Sequence, residues 1–193
     1  MYPILFVLAF GLAIAIERYL YLTAQKQNNR RLLAKIMPPL KQGNLKEVYS
    51  VTSRSKAAIC QMLTLGITRM QSSEKRDDIE MAMEESLMEI IPRLEKRTHY
   101  LAMFANIATL LGLLGTITGL IKAFTAVAQV DPSLKAEILS SSISVAMNTT
   151  AFGLAVAIPL IIIFSILQTK TTEIVDSLEM STVKFVNLIM QKK

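Results

Sequence analysis

Two long stretches of this chain contain no charged residue, yet each carries hydroxyl and amide side chains that hydrocarbon does not favour. They are Asn106, Thr109 and Thr116 in the first stretch, and Asn148, Thr149 and Thr150 in the second. At helical spacing the first three share one face, whereas Thr150 points almost opposite to Asn148. Such groups predict a path for an ion or contacts between helices. The alternative is that each hydroxyl bonds to the backbone of its own helix.

Glycines are closely spaced in the same two stretches. Gly112, Gly115 and Gly119 lie in the first, the last two forming a G-x-x-x-G pair, and Gly153 lies in the second. Because small residues let helix backbones approach closely, we predict that these four glycines pack helices together. A phosphate-binding loop is a poor interpretation because no strand pattern precedes the glycines.

The composition indicates a membrane protein. The chain is 52% hydrophobic and 19% charged, with a mean hydropathy of +0.42, which is too apolar for an ordinary soluble domain. Residues 100–121 and 138–169 are uncharged, and each is long enough to cross a bilayer, which takes about 20 residues. Residues 1–16 are also uncharged, and we interpret them as part of a span rather than a signal peptide, because the apolar run has neither a basic segment before it nor a small-residue cleavage site after it. We therefore predict an all-α membrane protein with three transmembrane helices and long cytoplasmic helical extensions.

The distribution of charge predicts the topology. Most Lys and Arg residues lie between the first two spans, so the positive-inside rule places that region and the C-terminus in the cytoplasm and the N-terminus in the periplasm of a bacterial inner membrane. In chain order the predictions are a transmembrane helix at 1–24, a cytoplasmic helical region at 25–98, a transmembrane helix at 99–127, a periplasmic connection at 128–139, a transmembrane helix at 140–169 and a cytoplasmic C-terminal helix at 170–193.

Local signals predict how the cytoplasmic helices begin and end. Pro38 and Pro39 are expected to end the extension of the first span, and Gly43 marks a turn. A capping box is expected to start a further helix at Asp77. That helix should continue into the second span through Pro92, which we expect to bend it rather than end it.

Enzyme chemistry finds little support in the residue types. The chain has one His and one Cys. His99 falls where the second span meets the cytoplasm, and Cys60 falls within an apolar helical stripe, so we interpret both as structural residues. We predict no catalytic residue, no metal site and no cofactor. The net charge of +6 is explained by the basic residues that the predicted topology places in the cytoplasm. We find no nucleic-acid-binding motif in the sequence.

The spans also lack a group that titrates. No Asp, Glu, Lys or Arg lies deep in the second or third span, and Glu17 is expected to pair with Arg18 near the end of the first. Proton relays in membranes use ionisable side chains. If this chain moves protons, a partner must therefore bring the carboxylate.

Three motifs resemble the ExbB/TolQ/MotA family, most closely its ExbB/TolQ branch. They are Ile16-Glu17-Arg18-Tyr-Leu20, Asn106-Ile-Ala-Thr-Leu-Leu-Gly-Leu-Leu-Gly115-Thr116-Ile-Thr-Gly119, and Thr149-Thr150-Ala-Phe-Gly153 continuing to Pro159. The resemblance implies a stator unit of an inner-membrane motor. In such a unit a homopentamer encloses the single spans of two ExbD/TolR-like partners, and the partner's transmembrane Asp takes up the ion. The motifs match Thr116 and Thr150 to the pore threonines of the family, although helical phase alone favours Asn148 over Thr150.

One departure from the family pattern leaves the ion open. Val145 stands where many ExbB/TolQ proteins have Glu, so H⁺ is the first expectation and Na⁺ is the alternative. The motor would act on an envelope or outer-membrane process through a TonB/TolA-like or other effector, and iron-complex uptake, envelope maintenance and gliding all remain open. A second hypothesis is a membrane scaffold that assembles an envelope complex without conducting ions.

Overall fold

The computed structural model describes residues 2–73, 75–128 and 130–191, and these residues form helices with no strand among them. The prediction of an all-α membrane protein is confirmed. The predicted 128–139 connection includes Gln129, and the basic tail includes Lys192 and Lys193; these three residues lie outside the described part of the chain. The helices are α1 (Tyr2–Gln42), α2 (Leu45–Thr52), α3 (Ala58–Ser72), α4 (Arg76–Glu95), α5 (His99–Val127) and α6 (Lys135–Met190).

Three helical segments of the described chain are long and apolar enough to cross a membrane. They are Tyr2–Gln42, Arg76–Val127 and Lys135–Met190, the second of which comprises α4 and α5. α1 and α6 are both longer than a bilayer requires, and each runs on into polar sequence without a break.

The chain divides into two compact units. The first, here called the span unit, comprises the chain up to Arg18 together with Arg97–Ile166. The second, here called the bundle unit, comprises Tyr19–Lys96 and the chain from Leu167 onward. The span unit therefore contains all six polar residues and all four glycines that the sequence singles out.

The end of α1 differs from the prediction. The helix continues through Pro38 and Pro39 to Gln42, and burial of Leu40 anchors this last turn. Gly43, with φ 81°, then closes the helix. Its N–H donates to the Leu40 carbonyl at 3.0 Å, and the next N–H donates to the Pro39 carbonyl at 3.0 Å, which is the Schellman pattern.

The path from α4 to α5 also differs from the prediction. Pro92 lies inside α4, as expected, but the helix ends at Glu95 rather than continuing into the second span. Residues 96–98 interrupt it, and Arg97 adopts φ 66°, a left-handed conformation uncommon for a non-glycine residue. The capping box is wrong as well, because α4 begins before Asp77, at Arg76, and makes no side-chain cap hydrogen bond.

The predicted pairing of Glu17 with Arg18 is replaced by a contact between helices. Glu17 Oε2 lies 3.7 Å from Arg97 Nη1 within the span unit, and Arg18 is buried. Neighbouring residues on a helix do not face each other, whereas the loop before α5 places a guanidinium opposite α1.

Large side chains fill the core of the bundle unit. Phe185 is fully buried, and Thr182 Oγ1 lies 3.1 Å from Met62 Sδ. Cys60 is also fully buried, and burial raises the pKa of its thiol. This placement agrees with its interpretation as a core residue. The large residues buried in this core include Leu22, Ile36, Ile59, Met62, Leu63, Ile79, Met83, Leu94 and Phe185.

Candidate functional site in the spans

Two glycines bring the backbones of α5 and α6 into contact. A Cβ atom on Gly153 would lie 2.7 Å from the Ala108 carbonyl oxygen and 2.9 Å from Gly112 Cα. A Cβ atom on Gly112 would lie 3.2 Å from both Gly153 Cα and Thr150 Cα. Side chains larger than hydrogen therefore do not fit at either position without moving a backbone.

The close approach continues along both helices. Gly115 lies against the Thr149 side chain, whose Cβ would be 2.9 Å from an added methyl, and Gly119 lies against Ala146, whose Cβ would be 2.6 Å away. Residue numbers rise on α5 as they fall on α6, so the contact is antiparallel. We call it the seam, formed by Ala108, Gly112, Gly115 and Gly119 of α5 with Ala146, Thr149, Thr150 and Gly153 of α6.

Thr150 makes a hydrogen bond across the seam. Its hydroxyl donates to the carbonyl oxygen of Gly112 at 2.8 Å. In an α-helix that carbonyl is also the acceptor for the amide of residue 116. The Thr150 hydroxyl therefore lies at the turn of α5 that carries Thr116. The hydrogen bond thus joins Thr150 to the stretch of α5 that leads to Thr116.

The other hydroxyls of the predicted pathway bond to their own helices. Thr109 donates to the Ala105 carbonyl at 3.1 Å, Thr116 to Leu113 at 2.7 Å and Thr149 to Val145 at 3.1 Å. From the sequence, a hydrogen bond to the backbone of the same helix was an open alternative for every threonine. The structure shows that arrangement for these three. A threonine whose proton is donated still has acceptor lone pairs on its oxygen. These oxygens therefore suit a cation or an O–H donor better than a carboxylate.

The predicted polar face of α5 lies beside the seam rather than in it. Asn106 and Thr109 are exposed in the single chain, and Thr116 is half-buried. At 100° per residue, this face is centred about 100° around the helix from the seam residues. It is therefore open to a second copy or a partner.

Asn148 lies on a different side of α6. It is exposed, whereas Thr149 and Thr150 are half-buried and belong to the seam. Its position is nearly opposite Gly153 around the helix, as the phase in the sequence predicts. The structure therefore does not bring the six pathway residues together in one chain: Thr116, Thr149 and Thr150 lie at or beside the seam, and Asn148 lies away from it.

The residues opposite the glycines are those the sequence analysis missed. Ala108 and Ala146 are buried at 0% and 2% exposure and supply the surfaces against which Gly153 and Gly119 pack. A signal was present, since Ala105, Ala108 and Gly112 continue the glycine stripe at spacings of three and four residues. In the described residues no group of His, Cys, Asp and Glu is arranged to hold a metal ion.

Comparisons with known proteins agree with these motifs. The biopolymer transport protein exbB1 of Vibrio cholerae is 37% identical over 91 residues, which cover 47% of this chain and 40% of that protein. A putative biopolymer transport protein ExbB homolog of Methanothermobacter thermautotrophicus is 25% identical over 177 residues, covering 89% of this chain and 60% of that protein. The matches thus span less than two thirds of the length of either relative.

The family profile covers most of the chain and both sides of the seam. It matches residues 54–180, which include α3, α4, α5 and most of α6. Channel and transport subunits, rather than enzymes, make up this family. This chain belongs to the MotA/TolQ/ExbB proton channel family.

Proposed function

We propose that this chain is the stator subunit of an ion-driven motor in a bacterial inner membrane, working with an ExbD/TolR-like single-span partner that carries a transmembrane Asp. The observation that carries the proposal is the hydrogen bond from Thr150 to the Gly112 carbonyl, at the turn of α5 that bears Thr116. This hydrogen bond supports the proposal because it joins Thr150 to the stretch of α5 that leads to Thr116, in a segment without charge. Membership of a proton channel family supports the same assignment.

The threonine oxygens would serve the partner's carboxyl group as acceptors. Both hydroxyl protons are already donated to backbone carbonyls, so each oxygen offers lone pairs. A protonated Asp can donate its O–H to such an oxygen, whereas an ionised Asp would find no donor there without breaking a backbone contact. The pair would therefore favour the protonated partner in transit, without the penalty of a buried charge in this chain.

The exposed polar face of α5 is the part of the proposed pathway that needs other chains. Asn106 and Thr109 are exposed beside apolar residues such as Leu110 and Leu113, which are 63% and 51% exposed. An amide side chain in hydrocarbon needs hydrogen-bonding groups, and a ring of subunits around the span of the ExbD/TolR-like protein would supply them. The proposal includes a homopentamer, with Asn148 and Asn106 facing neighbouring chains or the enclosed space.

The proposed orientation puts the N-terminus in the periplasm and the bundle unit in the cytoplasm. Single cysteines at Gln71 and Ser133, in a background lacking Cys60, report the two sides. We expect a membrane-impermeant maleimide added to spheroplasts to label the Ser133 variant and not the Gln71 variant. Labelling of Gln71 from outside would reverse the topology.

A scaffold that conducts no ion is the second candidate. The observation in its favour is that both protons are already donated within the chain, the Thr116 proton to its own helix and the Thr150 proton to α5, as in threonines with a structural role only. Both candidates keep the seam. They differ in whether the oxygens of these two threonines touch a transported ion.

The deciding experiment compares two pairs of threonines. Thr116→Val/Thr150→Val removes the proposed acceptors at nearly constant shape, and Thr118→Val/Thr125→Val removes hydroxyls that bond only to their own helix. Each complex, purified with its partner, is reconstituted into vesicles and its ion flux measured. We expect the first pair to lose at least about tenfold in flux, about 1.4 kcal/mol of barrier, and the control pair to remain near wild type.

Two further readings complete the experiment. Co-purification of the partner shows that assembly survives the substitutions, and flux driven by separate H⁺ and Na⁺ gradients identifies the ion. Wild-type flux in the Thr116→Val/Thr150→Val variant would exclude the proposed pathway through these two threonines, whereas the absence of flux through the wild-type complex would favour the scaffold. Gene neighbours would then identify the driven process and any TonB/TolA-like effector.

A further inference from the structure

Two helices of the bundle unit carry opposite and unbalanced charge. In α4, seven Asp and Glu residues stand against two Arg residues. In residues 24–42 of α1, five Lys and Arg residues stand against no acidic residue. Among the described residues, Lys26 of α1 pairs with Glu173 and Arg76 of α4 pairs with Glu80, but no ion pair joins α1 to α4. The two charge sets are therefore not satisfied by each other within one chain.

The acidic surface contains a groove between α4 and α6. Its volume is about 440 Å³, and its lining includes Leu87 and Ile91 as well as Met88 and Val183, which are 72% and 49% exposed. The carboxylates that line it are Glu80, Glu84 and Glu179. Of these, Glu84 and Glu179 make no ion pair within the described residues. The groove thus combines an apolar floor with negative charge, which fits a basic helix with a small apolar ridge.

The outer face of α1 has that character. Ala34 and Pro38, four residues apart, are exposed and form the apolar ridge. Arg31, Lys35 and Lys41 surround them and are also exposed. No ion pair occupies these three cations in the described part of the chain.

We propose that the acidic groove of one subunit binds the basic face of α1 from a second copy of this chain. The two surfaces differ, so the contact is heterologous and joins subunits head to tail into a closed ring when the rotation permits. Charge complementarity at such a contact favours the correct partner over alternatives. The proposal adds a specific interface to the assembly, and it does not depend on what Thr116 and Thr150 do.

An anionic lipid surface is the competing occupant of the basic face. At 1.5 Å per residue, Lys35 and Lys41 lie about 16 and 25 Å along α1 from residue 24, where the predicted span ends. Those distances carry them away from the headgroups, and a lipid would leave the acidic groove empty. The second copy explains both surfaces together.

Cross-linking tests the contact directly. In a Cys60→Ala background, Glu84→Cys/Lys35→Cys should give a ladder of covalent multimers in membranes under mild oxidation. Glu89→Cys/Lys35→Cys is the matched control, because Glu89 lies on the same helix, pairs with Arg93 and does not line the groove. A ladder absent from the first variant, or equally strong in the control, would overturn the proposal.

Charge reversal measures the energetics and separates the two occupants. Glu84→Lys/Glu179→Lys should weaken the association constant in neutral detergent by about tenfold, and adding Arg31→Glu/Lys35→Glu should restore it. Glu89→Lys should leave association unchanged. The lipid would be the occupant, and the proposal wrong, on the following result. Arg31→Glu/Lys35→Glu weakens assembly only when anionic lipid is present, and Glu84→Lys/Glu179→Lys has no effect. Ion flux through the Thr variants is read independently, so failure here leaves the proposed function untouched.

Discussion

The seam of the span unit and the core of the bundle unit hold helices together by opposite means. The seam is lined by glycine, alanine and threonine, and two helix backbones touch there. The bundle core is filled by Phe185, Met62, Leu63 and other large side chains. In water, burial of large apolar groups drives association. In a bilayer the lipid is as apolar as the side chains, so close backbone packing has to supply the attraction instead.

Two glycines show the contrast at the level of single atoms. An added methyl on Gly66, in the bundle unit, would meet the Met83 side chain at 2.8 Å and Phe185 at 3.2 Å. An added methyl on Gly153, in the span unit, would meet the Ala108 carbonyl at 2.7 Å. Methionine can move into another rotamer, whereas a helix backbone cannot move alone. Equal crowding therefore has unequal consequences.

Truncation of a large core residue should have the largest effect. Phe185→Ala is expected to lower the free energy of unfolding by about 3–5 kcal/mol, because it removes buried surface and leaves a cavity. Thermal or denaturant unfolding of the detergent-solubilised protein measures it. Met180→Ala, on the same helix but 57% exposed, is the control and should change stability by less than about 1 kcal/mol. Equal losses from both variants would contradict the assignment of Phe185 to the core.

Addition of one methyl group should change stability differently in the seam and in the core of the bundle unit. Gly153→Ala is expected to destabilise the α5–α6 contact by about 1–3 kcal/mol, because backbone atoms obstruct the methyl. Gly66→Ala should be neutral or stabilising, since Met83 can give way and alanine gains up to about 1 kcal/mol of helix propensity over glycine. The two variants are compared by unfolding in the same detergent. A larger loss of stability from Gly66→Ala than from Gly153→Ala would contradict the proposed difference between the two regions.

Removal of the hydrogen bond across the seam should have a smaller effect on stability. Thr150→Val leaves the shape nearly unchanged and is expected to cost about 0.6–1.7 kcal/mol, from the average to the largest value for interhelical hydrogen bonds in membranes. Thr125→Val loses only a bond within its own helix and is the control. Thr150→Ser, which keeps the hydroxyl, should recover most of the loss. A Thr150→Val variant as stable as wild type would show that packing alone holds the seam.

The smallest effect concerns a surface ion pair of the bundle unit. Lys26, by its hydrogen bond and its charge, holds the pKa of the Glu173 carboxyl below its usual value. The stabilisation is therefore present at neutral pH and is lost as pH falls below the usual pKa of glutamate and through the lower pKa of the folded state. Both side chains are about half exposed, so the change should be small. Unfolding followed from pH 7 into this acidic range should show a weaker pH dependence for Glu173→Gln than for wild type.

Hydropathy and period predict much of the fold because they report burial directly. The uncharged stretches indicated spanning helices, and the apolar helical stripe that contains Cys60 indicated a core face. The break between α4 and α5 could not be predicted in this way. It depends on a left-handed Arg97, and nothing in Lys96-Arg97-Thr98 resembles a turn. The end of α1 was placed too early because proline propensity was weighed without the burial of Leu40.

The candidate site was likewise predicted in part from the sequence. Glycine spacing predicted which face of α5 packs, because small residues at intervals of three and four have few other uses in a span. It could not predict that Gly112 and Gly119 meet Gly153 and Ala146, since the antiparallel register is a property of both helices. Helical phase separated Asn148 from Thr150, but it could not say which of them faces α5. The family motifs chose Thr150, and its role in ion transfer remains a prediction.

The contact between Gly112 and Gly153 also limits how related sequences can vary. In most cores a larger side chain on one helix is accommodated when its neighbour becomes smaller, so the two positions change together. Here each glycine faces atoms of the main chain, and no substitution can make a backbone smaller. The pair should therefore appear in an alignment as two fixed columns without covariation, surrounded by lipid-facing positions that exchange freely among apolar residues.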